Sequence, residues 1–207
     1  MGTLQGDNFI ASLVGPFLVD SKLGLACGNP LPHPGKNFIS KSVESSAHAW
    51  YRMRDQLKQG NNAFTVDGKI LAFSRDFKNA IVFPDTLSEM GNVDAYIYLV
   101  CKKLGFRYKF VRDAIVRYKN PETLHDHLSW ATRNNSHHLM LSKQFGKLFY
   151  QEHRRPRLLY LSCLVIEFVK NPAGSVVIFL GSFYIRYKAK KYAKNFKATW
   201  EVIQTSK

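Results

Sequence analysis

Hydrophobic residues recur along this chain at two alternating spacings, one helical and one strand-like, and the alternation predicts an α/β fold. Phe9, Ile10, Leu13 and Val14 fall at helical spacing behind a capping Asp7 or Asn8. Leu23–Gly28 predicts a short strand, and Asn29 to Gly35, rich in proline, predicts a loop. Residues 38–58 predict a helix through Phe38, Val43, Ala47, Trp50, Met53 and Leu57, ended by Asn61-Asn62. Lys69 to Ser74 predict a strand, after which Arg75-Asp76 opens a loop through Phe83-Pro84. Asn92 suits the N-cap of a helix from Val93 to Leu104, with Gly105 as its stop. Arg107 to Tyr118 alternates enough for one or two strands. Pro121 suits the first turn of a helix that begins near Asn120 and runs to about His153, with a break near Asn134-Asn135.

Pro156 divides the pattern. Residues 1–155 form the α/β portion, and 156–207 read as a helical hairpin with a basic tail. Leu158–Val169 and Ala173–Ile185 are apolar but short, whereas a membrane-spanning helix needs about 20 residues. Glu167 also interrupts the first run. Arg186, Lys188, Lys190, Lys191 and Lys194 follow, interleaved with Tyr184, Tyr187 and Tyr192. That mixture predicts a hairpin in the interface of an anionic membrane, at its cytoplasmic face. The competing reading is a soluble α-hairpin packed on the main domain with a solvated basic face.

A hydrophobic content of 45% with 14% aromatic residues excludes a disordered chain. The net charge of +15 belongs wholly to the second half, because the first 100 residues hold nine basic and nine acidic side chains. An acidic partner is therefore expected there: membrane phosphate or a phosphorylated substrate. The apolar runs beside the basic cluster argue against nucleic acid. Cys27, Cys101 and Cys163 lack metal-ligand spacing and read as buried free thiols. His125 and His127 diverge on a helix, so no metal is expected there or at His137-His138. The first seven residues lack the basic and apolar regions of a signal peptide.

The candidate chemistry lies at Asp94, which opens the helix after Asn92, and at Arg133 on the next long helix. A carboxylate in the field of a helix N-terminus stays ionised and can act as a base. An arginine nearby can hold an anion. The plainer alternative is that Asp94 only supports its first helical turn.

From residue 4 onward the sequence resembles the second half of a family-2 glycosyltransferase of the GT-A fold. Asn8-Phe9-Ile10, Asp20–Leu25 and Gly28 resemble the helix and strand that follow the family's metal-binding Asp-x-Asp motif. Asp67–Arg75 resembles the small-residue segment before the active-site loop, and Val93-Asp94 falls at the acidic-pair motif. Gly105–Tyr108, Asp113–Val116, Pro121–Leu124 and the tail residues Trp200 and Thr205–Lys207 follow in the family's order. Two motifs depart from it. Val93 replaces the first acid, and Trp130–Asn134 keeps only the arginine of Gln-x-x-Arg-Trp.

The resemblance implies a partial GT-A-like mixed sheet flanked by helices, ending in an apolar and basic helical hairpin. It implies inverting transfer from a nucleotide-sugar donor to a glycan or lipid-linked acceptor, with Asp94 as catalytic base. It also implies substrate or diphosphate contacts at Gly68, Arg75 and Arg133, and Mg or Mn as cofactor. The nucleotide-binding half and the Asp-x-Asp ligands would lie before Met1, so a separate nucleotide-binding half is an expected partner. The chain alone is expected to turn over weakly. The alternative is a non-catalytic module that binds a membrane surface.

Overall fold

The structure of the protein, a computed structural model, describes residues 3–5, 8–85 and 92–194. Among these, four strands form one mixed sheet in the order β1-β4-β2-β3. They are β1 (Thr3–Gln5), β2 (Leu23–Pro32), β3 (Leu71–Phe73) and β4 (Arg107–Tyr118). The two long strands, β2 and β4, run parallel, and a short antiparallel strand flanks each of them. The helices are α1 (Phe9–Val19), α2 (Phe38–Gln56), α3 (Arg75–Ala80) and α4 (Val93–Lys103). They continue with α5 (Leu124–Phe145), α6 (Lys147–Glu152), α7 (Arg157–Lys170) and α8 (Pro172–Lys194).

Because strand side chains alternate in direction, β2 serves two cores. Leu25 and Cys27 join Tyr108 and Phe110 of β4 against α4, with Leu141 and Phe149 closing that cluster from α5 and α6. Ala26 faces the other way and meets Val111, Ala114 and Val116 beneath Phe9 and Leu13 of α1. Seven consecutive residues of α4, Ala95 to Cys101, are buried, as befits a helix enclosed on all sides. A third cluster joins Ala49 and Met53 of α2 to Phe64 and to Cys163 of α7.

Several boundaries differ from the expectation, each for a local reason. The predicted strand Leu23–Gly28 continues to Pro32, through a segment expected to be loop. β3 pairs only with Leu25 to Cys27, so from Asn29 onward β2 has a partner on one side alone. Prolines are tolerated at such an edge, where no N–H is needed. The expected loop at Arg75 is instead α3, because Ser74 accepts from the Phe77 N–H and starts a turn. The helix expected from Pro121 begins at Leu124, since Thr123 accepts the Asp126 N–H and supplies the better cap. Its break comes at Gly146, with φ at +49°, and not at Asn134-Asn135. There the Asn135 amide bonds the Ala131 carbonyl at 2.8 Å and the helix continues.

The hairpin folds back on the domain. α7 packs on α2, and α8 packs on α2 and α5. Glu167 turns inward from α7 and accepts from Arg52 of α2 at 3.0 Å. Among the described residues no helix is long and apolar enough to cross a membrane. The three cysteines are free and buried, as the sequence predicts.

Candidate active site

Asp94 lies in the first turn of α4, where four backbone N–H groups lack intrahelical partners. Its Oδ1 accepts from the Ala95 N–H at 2.7 Å, and its Oδ2 accepts from the Gly68 N–H at 2.8 Å. Asn92, expected to cap the helix, makes no side-chain cap bond, so Asp94 fills part of that role. Gly91 lies outside the described residues. The second amide comes from a tight turn that Asp67 shapes. Its Oδ1 accepts from the Lys69 N–H at 3.0 Å, and its carbonyl accepts from the Ile70 N–H at 3.3 Å. Such an Asx turn is the ordinary behaviour of an Asp-Gly pair.

The charge balance around Asp94 differs from the simple helix-terminus expectation. Burial, then the like charge of Asp67, raises its carboxyl from 3.8 to about 6. The Gly68 and Ala95 N–H groups and Lys69 lower it by less. At neutral pH about nine-tenths of the carboxyl is still ionised, but it is far more basic than a free aspartate. That is the behaviour of a proton acceptor with useful driving force near neutrality.

Residues that sequence reasoning left unassigned complete the group. Lys69 Nζ lies 3.0 Å from both oxygens of Asp67 and 4.2 Å from the centre of the Tyr118 ring. The Tyr118 and Tyr51 hydroxyls are 2.6 Å apart, and the Arg54 guanidinium sits 4.1 Å over the Tyr51 ring. Cys27 underlies the turn, with its sulfur accepting from the Asp67 N–H at 3.3 Å. Burial drives that thiol up to about 12, so it is inert. The Asp-Gly-Lys turn was the available sequence signal. The tyrosine pair lies 67 residues apart in the chain and gave none.

The remaining predicted residues are placed as follows. Gly68 meets Asp94 directly and is exposed, so the carboxylate stands beside solvent. Arg75 does not join them. β3 carries the chain from Leu71, paired with Cys27, to Phe73, paired with Leu25, and Ser74 then bonds Gly24. At about 3.3 Å per residue, Arg75 is more than 10 Å along the strand from the Gly68 end. Arg133 is half-buried in the middle of α5, where its charge helps depress His137. On α8, Arg186, Lys188, Lys190 and Lys191 are exposed. Lys194 ends the helix. Trp200 and Thr205–Lys207 lie outside the described residues.

The donor set near Asp94 does not fit a resident Mg or Mn. Both Asp67 oxygens engage Lys69, and both Asp94 oxygens accept backbone N–H bonds. Among the described residues no three His, Cys, Asp or Glu side chains converge as a ligand set. The histidines pack among rings instead. His138 lies edge-on to Phe149 and His153, and His127 beside Trp130. In comparisons of the sequence, no protein-family model and no curated protein matches the chain.

Proposed function

We propose that this chain is the acceptor-side part of an inverting glycosyltransferase with a GT-A-like fold, and that Asp94 is its general base. The observation that carries the reading is the Asp94 carboxylate. It is fixed by two backbone amides, raised to about 6, and set beside an exposed glycine turn. The parallel β2–β4 pair with antiparallel flanks, and the order of turn, helix and strand from Asp67 to Tyr118, agree with the resemblance.

In the proposed step an acceptor hydroxyl gives its proton to Asp94 as its oxygen attacks the anomeric carbon of a nucleotide sugar. The new C–O bond forms on the face opposite the breaking one, and the electron pair leaves on the diphosphate. Lys69, beside the carboxylate, is one cation available to that charge. Arg133, half-buried on α5 beside His137, is the second cation proposed for it, on the resemblance alone. Mg or Mn, if the reaction uses it, draws its ligands from elsewhere than the Asp67–Asp94 pair.

The test is sugar transfer by the purified chain, alone and mixed with membranes of its source cells, from a panel of labelled nucleotide sugars. Transfer that requires the chain and disappears with Asp94→Asn supports the base assignment. Equal transfer by Asp94→Asn would remove it. A second reading, a non-catalytic membrane-binding module, is favoured by the outward face of the α7–α8 hairpin. It gains ground if the chain adds no transfer in either preparation.

A further inference from the structure

The hairpin of α7 and α8 carries apolar residues on both of its sides. Its inward side holds Cys163, Glu167, Ile185 and Ala189, all buried against the domain. Its outward side is apolar and bare, with Leu158 85%, Val169 75% and Phe179 62% exposed. On α8 the outward stripe runs Val176, Phe179 or Leu180, Phe183 and Tyr187 at helical spacing. Phe179 and Phe183 stack edge to face at 5.1 Å, and hence present one aromatic surface. On α7, Leu161, Val165 and Phe168 make the matching row, each between 49% and 60% exposed. A soluble monomer rarely leaves so much contiguous apolar area in water.

Charge decides what covers it. The acid in the hairpin, Glu167, is turned away and engaged by Arg52 and Lys170. Where the stripe ends, Arg186, Lys188, Lys190 and Lys191 are all exposed. Arg154 and Arg157, at the start of α7, are exposed at that same end, where the Arg186 charge reaches Arg155. An apolar floor with cations gathered at one end and free of outward acids complements an anionic bilayer, whose acyl boundary takes the rings and whose phosphates take the charges. A second copy of the chain is a poorer fit, because it brings a second set of cations to the same face. Among the described residues neither helix is long and apolar enough to cross a membrane.

We infer that the outward face of α7–α8 is a membrane-docking surface that seats the protein on anionic lipid with both helices in the interfacial plane. This inference does not depend on Asp94. It is tested by co-sedimentation with phosphatidylcholine vesicles with and without phosphatidylglycerol, at low and high salt. The expected result is binding to the anionic vesicles that weakens with salt. It falls about tenfold or more for F179S/F183S and for K188E/K190E/K191E, and is unchanged in D94N. These side chains are exposed, so the variants keep the wild-type circular dichroism and Tm. A Phe183→Trp reporter should be quenched by lipids brominated near the headgroup and not by those brominated at the bilayer centre. Absence of binding, or binding indifferent to both variants, overturns the proposal. A dimer in sedimentation equilibrium that F179S/F183S dissolves would also overturn it and assign the face to self-association.

Discussion

The backbone N–H of Gly68 donates to Oδ2 of Asp94 at 2.8 Å, across 26 residues of chain. This one bond fixes the carboxylate against a turn that belongs to neither α4 nor the sheet. It makes the acidity of Asp94 a property of the assembled fold.

The sign of the resulting pH effect follows from linkage. Asp94 stands at about 6 in the fold against an ordinary 3.8. Between those values the folded protein keeps a proton that the unfolded chain has released, so stability falls as pH rises through the window. Asp94→Asn should therefore remove a loss of about 1–2 kcal/mol between pH 4 and pH 7, while losing at both pH values the acceptor for one of the two backbone N–H groups. Urea titrations at the two pH values check this, and destabilisation at pH 7 would mean that the lost amide bond outweighs burial. Transfer by the wild type should rise with pH to a plateau above a midpoint near 6.

Gly68→Ala separates folding from access. A Cβ at Gly68 would sit 3.6 Å from Asp94 Oδ2, an ordinary contact, so the fold tolerates it. Stability should change by less than about 0.5 kcal/mol. The methyl group crowds the exposed side of the carboxylate, and transfer should fall through a raised acceptor KM. A large drop in Tm with unchanged KM would refute this account.

The histidines act in the opposite direction from Asp94. His138 is depressed to about 3, chiefly by burial and then by His153, and His137 to about 4 by burial and Arg133. In the unfolded chain both take protons below about 6.5, so stability is lost as pH falls from there. His138→Phe keeps a ring against Phe149 and His153 and should recover about 1–2 kcal/mol at pH 4.5, with no gain at pH 7.5. Guanidinium midpoints measured across that range would show it.

Two glycines give a matched pair for thermal denaturation. A Cβ at Gly28 would lie 2.6 Å from the Ala114 carbonyl oxygen and 2.9 Å from Ile70, inside the β2–β4 pair. Gly28→Ala should cost about 1–3 kcal/mol. Gly15, within α1, meets nothing outside its own helix within 4 Å, but it precedes Pro16, whose ring crowds a preceding helical Cβ, so Gly15→Ala should change stability by less than about 0.5 kcal/mol. Equal effects at the two sites would contradict the packing described for β2.

What the sequence made legible was mostly what neighbouring residues decide. Gly105, at φ +80°, ends α4 as its type and place predicted, and the helix from Phe38 appears with Asn37 and Ser40 capping it reciprocally. Asp94 was singled out by its place at a helix start together with the resemblance, and Gly68 by the resemblance alone. The second half of β2 was hidden, since whether proline can sit in a strand depends on what lies beside it in space. The raised acidity of Asp94 was hidden for the same reason. Helix position alone pointed downward, while burial and Asp67 pushed it up. The Tyr51–Tyr118 pair and the Arg52–Glu167 link, 115 residues apart in sequence, are products of packing alone.

The parallel pairing of β2 with β4 also governs how the chain comes together. The Asn29 side chain bonds the carbonyl of Arg112, 83 residues further on, and the strand positions from Asn29 to Pro32 find their sheet partners only in Ile115 to Tyr118. The later half of β2 can pair only after the chain has been made through Tyr118, whereas Leu25 to Cys27 can meet β3 earlier. Closure of so long a loop is slow compared with the formation of local helices. The expected order of assembly is therefore local helices first and the β2–β4 pairing last.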